Sequence, residues 1–175
     1  ESLKIKNLNL STRDYTNIAA SLAIKIPNSA DQIIETQLLK IKGPDNKARF
    51  QFIIPALSSD QYIRDNFFST LMKAENRHTE PWVLSALRYL HHPLRIDFSE
   101  GYLKRSLNVL EDIQITGDIF FPGRWLNATF KYYQSDVAIA TVNNFLTKNP
   151  DYNYQLKLKI LQNSDQMKRA NKILK

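Results

Sequence analysis

The chain has 175 residues, 43% of them hydrophobic and 23% charged, which is the profile of one ordinary globular domain long enough to bury a core without staples. Its 4 Gly, 7 Pro and absence of Cys exclude a collagen, a disulfide framework, a cysteine nucleophile and any thiolate-held zinc or iron–sulfur site. The net charge of +7 sits at the two ends, +3 in residues 1–50 and +4 in residues 151–175, which is not a continuous basic stripe.

Residues 1–12 read as an extended leader. They carry the one clear alternation, Leu3-Lys4-Ile5-Lys6, and no apolar signal core. From residue 13 onward helical periodicity dominates. Ile18, Leu22 and Ile26 mark a helix over 13–26, and Ile34, Leu38 and Ile41 one over 29–41. A third is expected over 45–57. Ile63, Phe67 and Leu71 mark 60–74, and Val83, Leu87 and Leu90 mark 80–91. Leu103, Leu107 and Leu110 mark 98–115. The Pro122 start predicts a helix over 122–133, and Ala138, Thr141 and Phe145 mark 135–147. The last two helices are expected over 152–163 and 165–174.

Start signals precede these stripes. Ser11 with Asp14 forms a capping-box pattern, and Asn28 with Asp31 and Asp97 with Glu100 repeat it. Ser59-Asp60 and Ser135-Asp136 are plain N-cap candidates. Pro27, Gly43-Pro44, Pro93, Gly117 and Asn149-Pro150 supply the stops. Taken in pairs, the helices start at 13, 45, 80, 122 and 152, with steps of 32, 35, 42 and 30 residues. That spacing predicts an all-α fold: a superhelical array of about five antiparallel helix pairs, an irregular HEAT- or armadillo-like α-solenoid. With no Gly-, Ser- or Pro-rich linker, residues 13–175 form one helical-repeat domain. The chain begins with Glu rather than Met, and is read as a C-terminal fragment of a longer one. No apolar run approaches the roughly 18–20 residues of a transmembrane helix.

Chemistry-bearing patterns are sparse. The three His residues are His78, His91 and His92, and none forms the four-residue pair of a zinc-protease helix. His91 and His92 sit before Pro93, where a helix end favours a cation. They are read as a C-terminal cap and a packed imidazole. His78-Thr79-Glu80 and Asp97 lack any accompanying nucleophile motif. No Walker loop or dinucleotide fingerprint occurs, and Glu111-Asp112 reads as a solvated helix face. Asn9-Leu10-Ser11 and Asn127-Ala128-Thr129 match the glycosylation tripeptide, a pattern that arises by chance. The basic tail of Lys157, Lys159, Lys168, Arg169, Lys172 and Lys175 alternates with Leu156, Leu158 and Ile160. The aromatic residues lie within apolar stripes, so they read as core rather than a stacking platform. Nucleic acid is therefore a disfavoured partner. The segment Gly117 to Trp125 reads as a buried loop stapling two helix pairs, with an exposed binding edge as the alternative. Trp82 and Trp125 are expected to be largely buried, each in the first turn of a helix. No catalytic, metal-binding or cofactor-binding residue emerges, and the compartment stays open.

Two runs carry a resemblance. One is Glu80-Pro81-Trp82-Val83-Leu84-Ser85-Ala86-Leu87-Arg88-Tyr89-Leu90-His91-His92-Pro93-Leu94-Arg95. The other runs from Leu107 through Gly117-Asp118-Ile119-Phe120-Phe121-Pro122-Gly123-Arg124-Trp125 to Leu126. With Lys47 to Ser58 and Leu156 to Gln162, they resemble the C-terminal helical domain of the aminopeptidase N family of zinc metallopeptidases, its bacterial-type members above all. The resemblance implies a superhelical domain of HEAT-like or armadillo-like pairs. It implies an upstream thermolysin-like domain holding zinc through His-Glu-x-x-His and a later Glu, with no matching position in this chain. It also implies a role: packing on the catalytic domain of the same polypeptide and limiting which peptide substrates reach its cleft. The chain itself is then expected to be no enzyme and to hold no cofactor. A free-standing helical-repeat scaffold for protein partners is the alternative, and a nucleic-acid-binding array is a third.

Overall fold

Among the described residues, polar side-chain caps that satisfy first-turn amides open four of the eleven α-helices, and a first-turn proline opens three more. The computed structural model describes residues 9–174. The leader residues 1–8, with the Leu3–Lys6 alternation, lie outside the described residues, as does Lys175. Among the described residues there are eleven α-helices, three 3-10 turns and no strand. Helix α1 (Thr12–Lys25) opens on the Ser11 box: Ser11 Oγ accepts from the Asp14 amide at 3.2 Å, and Asp14 accepts from the Ser11 amide at 2.9 Å. α2 spans Ala30–Lys40. Before α3 (Pro44–Leu57), Gly43 takes φ 87°, open to glycine at little cost. α4 (Gln61–Thr70) is capped by Asp60, whose carboxylate accepts from the Tyr62 amide at 2.8 Å. α5 covers Glu80–Leu90 with Pro81 in its first turn.

Three short helices follow: α6 (Ile96–Ser99), α7 (Tyr102–Asn108) and α8 (Leu110–Thr116). α9 spans Phe121–Phe130. α10 (Asp136–Lys148) starts where Ser135 Oγ accepts from the Ala138 amide at 2.9 Å. α11 (Tyr154–Ile173) starts where Asn153 accepts from the Leu156 amide at 3.1 Å.

The boundaries differ from expectation in three places. The single helix expected over 98–115 is broken near Gly101 and Val109, a glycine and a β-branched residue, both poorer helix formers. The two helices expected over 152–163 and 165–174 are one continuous helix, α11. Ser164 does not cap a new start there; it is buried, and its hydroxyl bonds back to the Leu161 carbonyl at 3.2 Å. The fifth pair is thus a single helix. Neither Asn28 nor Asp97 forms a box: Pro27–Ser29 turn as a 3-10 segment and Ser29 precedes α2, while Arg95 precedes α6.

α1 packs on α2 and α3, α3 on α5, α5 on α9, and α9 on α11. Of these, α1, α3, α5, α9 and α11 correspond to the first members of the expected pairs. Beside them α4 packs on α3, α7 on α9 and α10, and α10 on α11. One hydrophobic cluster runs through all of them, from Ala20 to Met167.

The face that α1 buries is not the one its large apolar residues mark. It buries Ala19, Ala20 and Ala23, small side chains that let α2 and α3 approach closely, together with Ile24. Ile18, Leu22 and Ile26 remain 45%, 40% and 46% exposed.

Candidate functional site

His91 is the residue around which the middle of the fold is organised. It follows the last turn of α5 and is fully buried. The rings of Phe68, Tyr102 and Tyr133 surround it, with centroids 6.2, 5.8 and 5.6 Å away. Its Nδ1 lies 2.6 Å from the Tyr133 hydroxyl, which lies 2.7 Å from Ser99 Oγ. Ser99 donates to the Arg95 carbonyl at 2.9 Å. A carbonyl can only accept, so Ser99 has no proton left for Tyr133. Tyr133 therefore donates to Ser99, and His91 Nδ1–H donates to Tyr133. This assigns the Nδ1–H tautomer, leaving Nε2 as a bare lone pair with no partner among the described residues. Burial pushes the imidazole down to about 3. Loss of hydration thus outweighs the helix dipole at this helix end, and His91 is the packed imidazole of the pair. Burial likewise raises the Tyr133 hydroxyl.

The other imidazoles are not drawn to it. His92 is half-buried, and its Nδ1 accepts from the Leu94 amide at 3.2 Å, starting the turn Pro93–Arg95. Its protonated form is disfavoured by partial burial first, then by Arg95 and Lys25. His78, Asp97, Glu111 and Asp112 are exposed. Among the described residues no three His, Asp or Glu side chains converge as metal ligands.

Three arginines act as clamps between helices. Arg95, largely buried, donates to the carbonyls of Ala56 at 2.6 Å, Leu57 at 2.8 Å and Ser58 at 3.0 Å. Arg64 adds bonds to the Ser58 and Ser59 carbonyls at 2.7 and 2.8 Å. Two guanidiniums thus satisfy the free carbonyl end of α3, where the helix dipole favours cations. Burial, and then the neighbouring Arg64 charge, lower Arg95 to about 10. Arg77 similarly joins the Leu71 carbonyl, at 2.9 Å, to Asp112 and Thr116 of α8.

Glu80, in the first turn of α5, accepts from the Asp118 amide at 2.7 Å. This bond fastens the loop before α9 onto α5. Gly117 is required at the joint: a Cβ there would lie 2.6 Å from the Phe121 ring, 2.9 Å from the Ile113 carbonyl and 3.1 Å from Glu80. The loop is only partly the buried staple expected. Phe121 and Trp125 are buried, but Ile119 and Phe120 are 75% and 62% exposed. Trp125 lies in the second turn of α9, not the first. Trp82 is in the first turn of α5 but only half-buried, its ring 5.9 Å from Phe52.

In the basic tail, Leu156 and Ile160 are buried while Leu158 stays partly exposed. Arg169 forms an exposed pair with Asp165 at 2.7 Å. Not every aromatic is core: Tyr15, Tyr62, Phe98 and Tyr154 are exposed. Tyr15, Ile18, Leu22 and Ile33 line an apolar groove of about 290 Å³ between α1 and α2. Ile34, Leu38, Ile54 and Ile63 line a second, of about 320 Å³, beside it. Which residues make such an outward flank could not be read from the sequence, because periodicity shows that a helix has an apolar face but not what covers it. No described helix is long and apolar enough to cross a membrane. Comparison with protein-family models, curated proteins and solved structures returns no match.

Proposed function

We propose that this chain is the non-catalytic C-terminal helical domain of a zinc aminopeptidase-like protein. It forms a superhelical array of HEAT- or armadillo-like pairs that packs on the catalytic domain and restricts peptide access to its cleft. The observation that carries this reading is the outward apolar stripe of α1. A helix that buries alanines and presents Tyr15, Ile18, Leu22 and Ile26 to solvent offers a surface that further protein would cover. The clamps are consistent with it. Glu80, His91, Arg95 and Gly117, which belong to the runs resembling the aminopeptidase N family, all hold helices together, and none is left free for chemistry. The succession α1, α3, α5, α9, α11, with α2, α4, α7 and α10 alongside, suits an irregular array with an extended concave face. Set over a zinc site, such a face makes a chamber that excludes folded proteins and bulk water.

The test uses the purified 175-residue chain. Equilibrium dialysis should show no stoichiometric zinc, and aminoacyl-nitroanilide substrates should not turn over. Turnover that persists after His91 and His92 are substituted, with contaminants removed, would refute the domain assignment.

A further inference from the structure

A third groove, of about 350 Å³, lies between α5, α9 and α11, within the lower range of ligand clefts (roughly 300–1,000 Å³). Its charged lining is Arg88 from α5, Arg124 from α9 and Lys159 from α11. No carboxylate lines it, and none of the three cations forms an ion pair among the described residues. Three cations brought together by three helices without a counter-charge repel one another, and an anion in the groove would relieve this. Elsewhere the fold spends guanidiniums on carbonyls, as with Arg64, Arg77 and Arg95. Arg88 and Arg124 are exposed, and Arg124 lies over the Phe120 ring at 5.5 Å, which props its guanidinium at the groove.

The rest of the polar lining is Asn127, Gln162 and Asn163. Asn163 gives its amide to the Lys159 carbonyl at 2.8 Å. Its carbonyl oxygen is then an acceptor beside the cations. A bare phosphate needs donors only. Carboxamides, which also accept, match a ligand with both carbonyls and N–H groups, namely a polypeptide backbone. Gly123 lines the groove, and a Cβ there would meet nothing within 4 Å, so chain can approach α9 closely.

We propose that this groove binds an extended acidic peptide segment, with carboxylates on Arg88, Arg124 and Lys159 and backbone amides on Asn127, Gln162 and Asn163. The proposal goes beyond the aminopeptidase reading and does not depend on it.

The experiment measures fluorescence anisotropy of labelled hexaglutamate with the 175-residue chain at low salt. Inorganic phosphate and single-stranded oligothymidylate serve as competitors. Two variants test the site independently. One is Arg88→Gln with Arg124→Gln and Lys159→Gln. The other, Gly123→Leu, fills open space without altering charge, and circular dichroism checks that both remain folded. Hexaglutamate is expected to bind, to weaken at least tenfold in each variant, and to weaken as salt rises. Absence of binding by the wild-type chain at low salt would overturn the proposal. So would unchanged affinity in either folded variant. Tighter binding of oligothymidylate or phosphate than of hexaglutamate at this groove would overturn the peptide assignment.

Discussion

Nδ1 of His91 lies 2.6 Å from the Tyr133 hydroxyl, joining the end of α5 to the segment after α9 across 42 positions of sequence. The proton order follows from the carbonyl at the far end: His91 Nδ1–H to Tyr133, Tyr133 to Ser99, and Ser99 to Arg95. Tyr133→Phe should cost about 1–3 kcal/mol by stranding the buried imidazole N–H. Nitrogen NMR should find Nδ1 protonated and Nε2 bare. A protonated Nε2 would contradict this order.

The same histidine makes stability depend on pH. Its folded value is about 3 against 6.5 for the free group. Below 6.5 the unfolded chain binds the proton more readily, so stability from this site is complete above 6.5. It falls as pH drops toward 3, by about 1.4 kcal/mol per unit. Urea unfolding at pH 7 and pH 5 should show the loss, and His91→Gln should flatten the slope. Equal slopes in both proteins would show that another group controls it.

Arg95 spans three carbonyls at the end of α3. Arg95→Met should cost about 3–5 kcal/mol, because the carbonyls lose a charged donor inside the protein. Arg95→Lys should recover only part, since one ammonium cannot reproduce the planar fork. Full recovery by lysine in chemical denaturation would mean that charge alone matters there.

Gly117 and Gly123 should separate by their surroundings. Gly117→Ala forces a Cβ to 2.9 Å from the Ile113 carbonyl and should cost about 1–3 kcal/mol. Gly123→Ala meets nothing within 4 Å inside a helix and should gain up to about 1 kcal/mol. Similar melting shifts for the two would refute the joint described at Glu80 and Asp118.

The two tryptophans should differ as well. Trp125 is 0% exposed, and Trp125→Ala should cost about 3–5 kcal/mol. Trp82→Ala should cost less, because Trp82 is already partly in contact with water. Single-tryptophan variants should show a bluer emission for Trp125. Matching maxima would count against the difference in burial.

What the sequence revealed was local. The Ser11–Asp14 box and the caps at Asp60 and Ser135 connect residues two or three apart, so their spacing announces them. The all-helical class followed from the helical periodicity, and the starts of α1, α4 and α10 from these caps. The clamps could not be read this way: Arg95 reaches carbonyls 37 to 39 positions away, and Glu80 an amide 38 away. The break expected near residue 164 does not occur, because Ser164 is a mid-helix serine bonded backward to Leu161. The stripe of Ile18, Leu22 and Ile26 marked a helix correctly and its buried face incorrectly, because three alanines pack more closely than the larger residues could.

The domain proposal is tested most directly by reading the coding sequence upstream of Glu1. The expected result is an in-frame His-Glu-x-x-His followed by a downstream Glu, the zinc ligands of a catalytic domain for this array to cover. A start codon immediately before Glu1 would contradict the proposal and leave an independent helical scaffold whose outward α1 face awaits a separate protein.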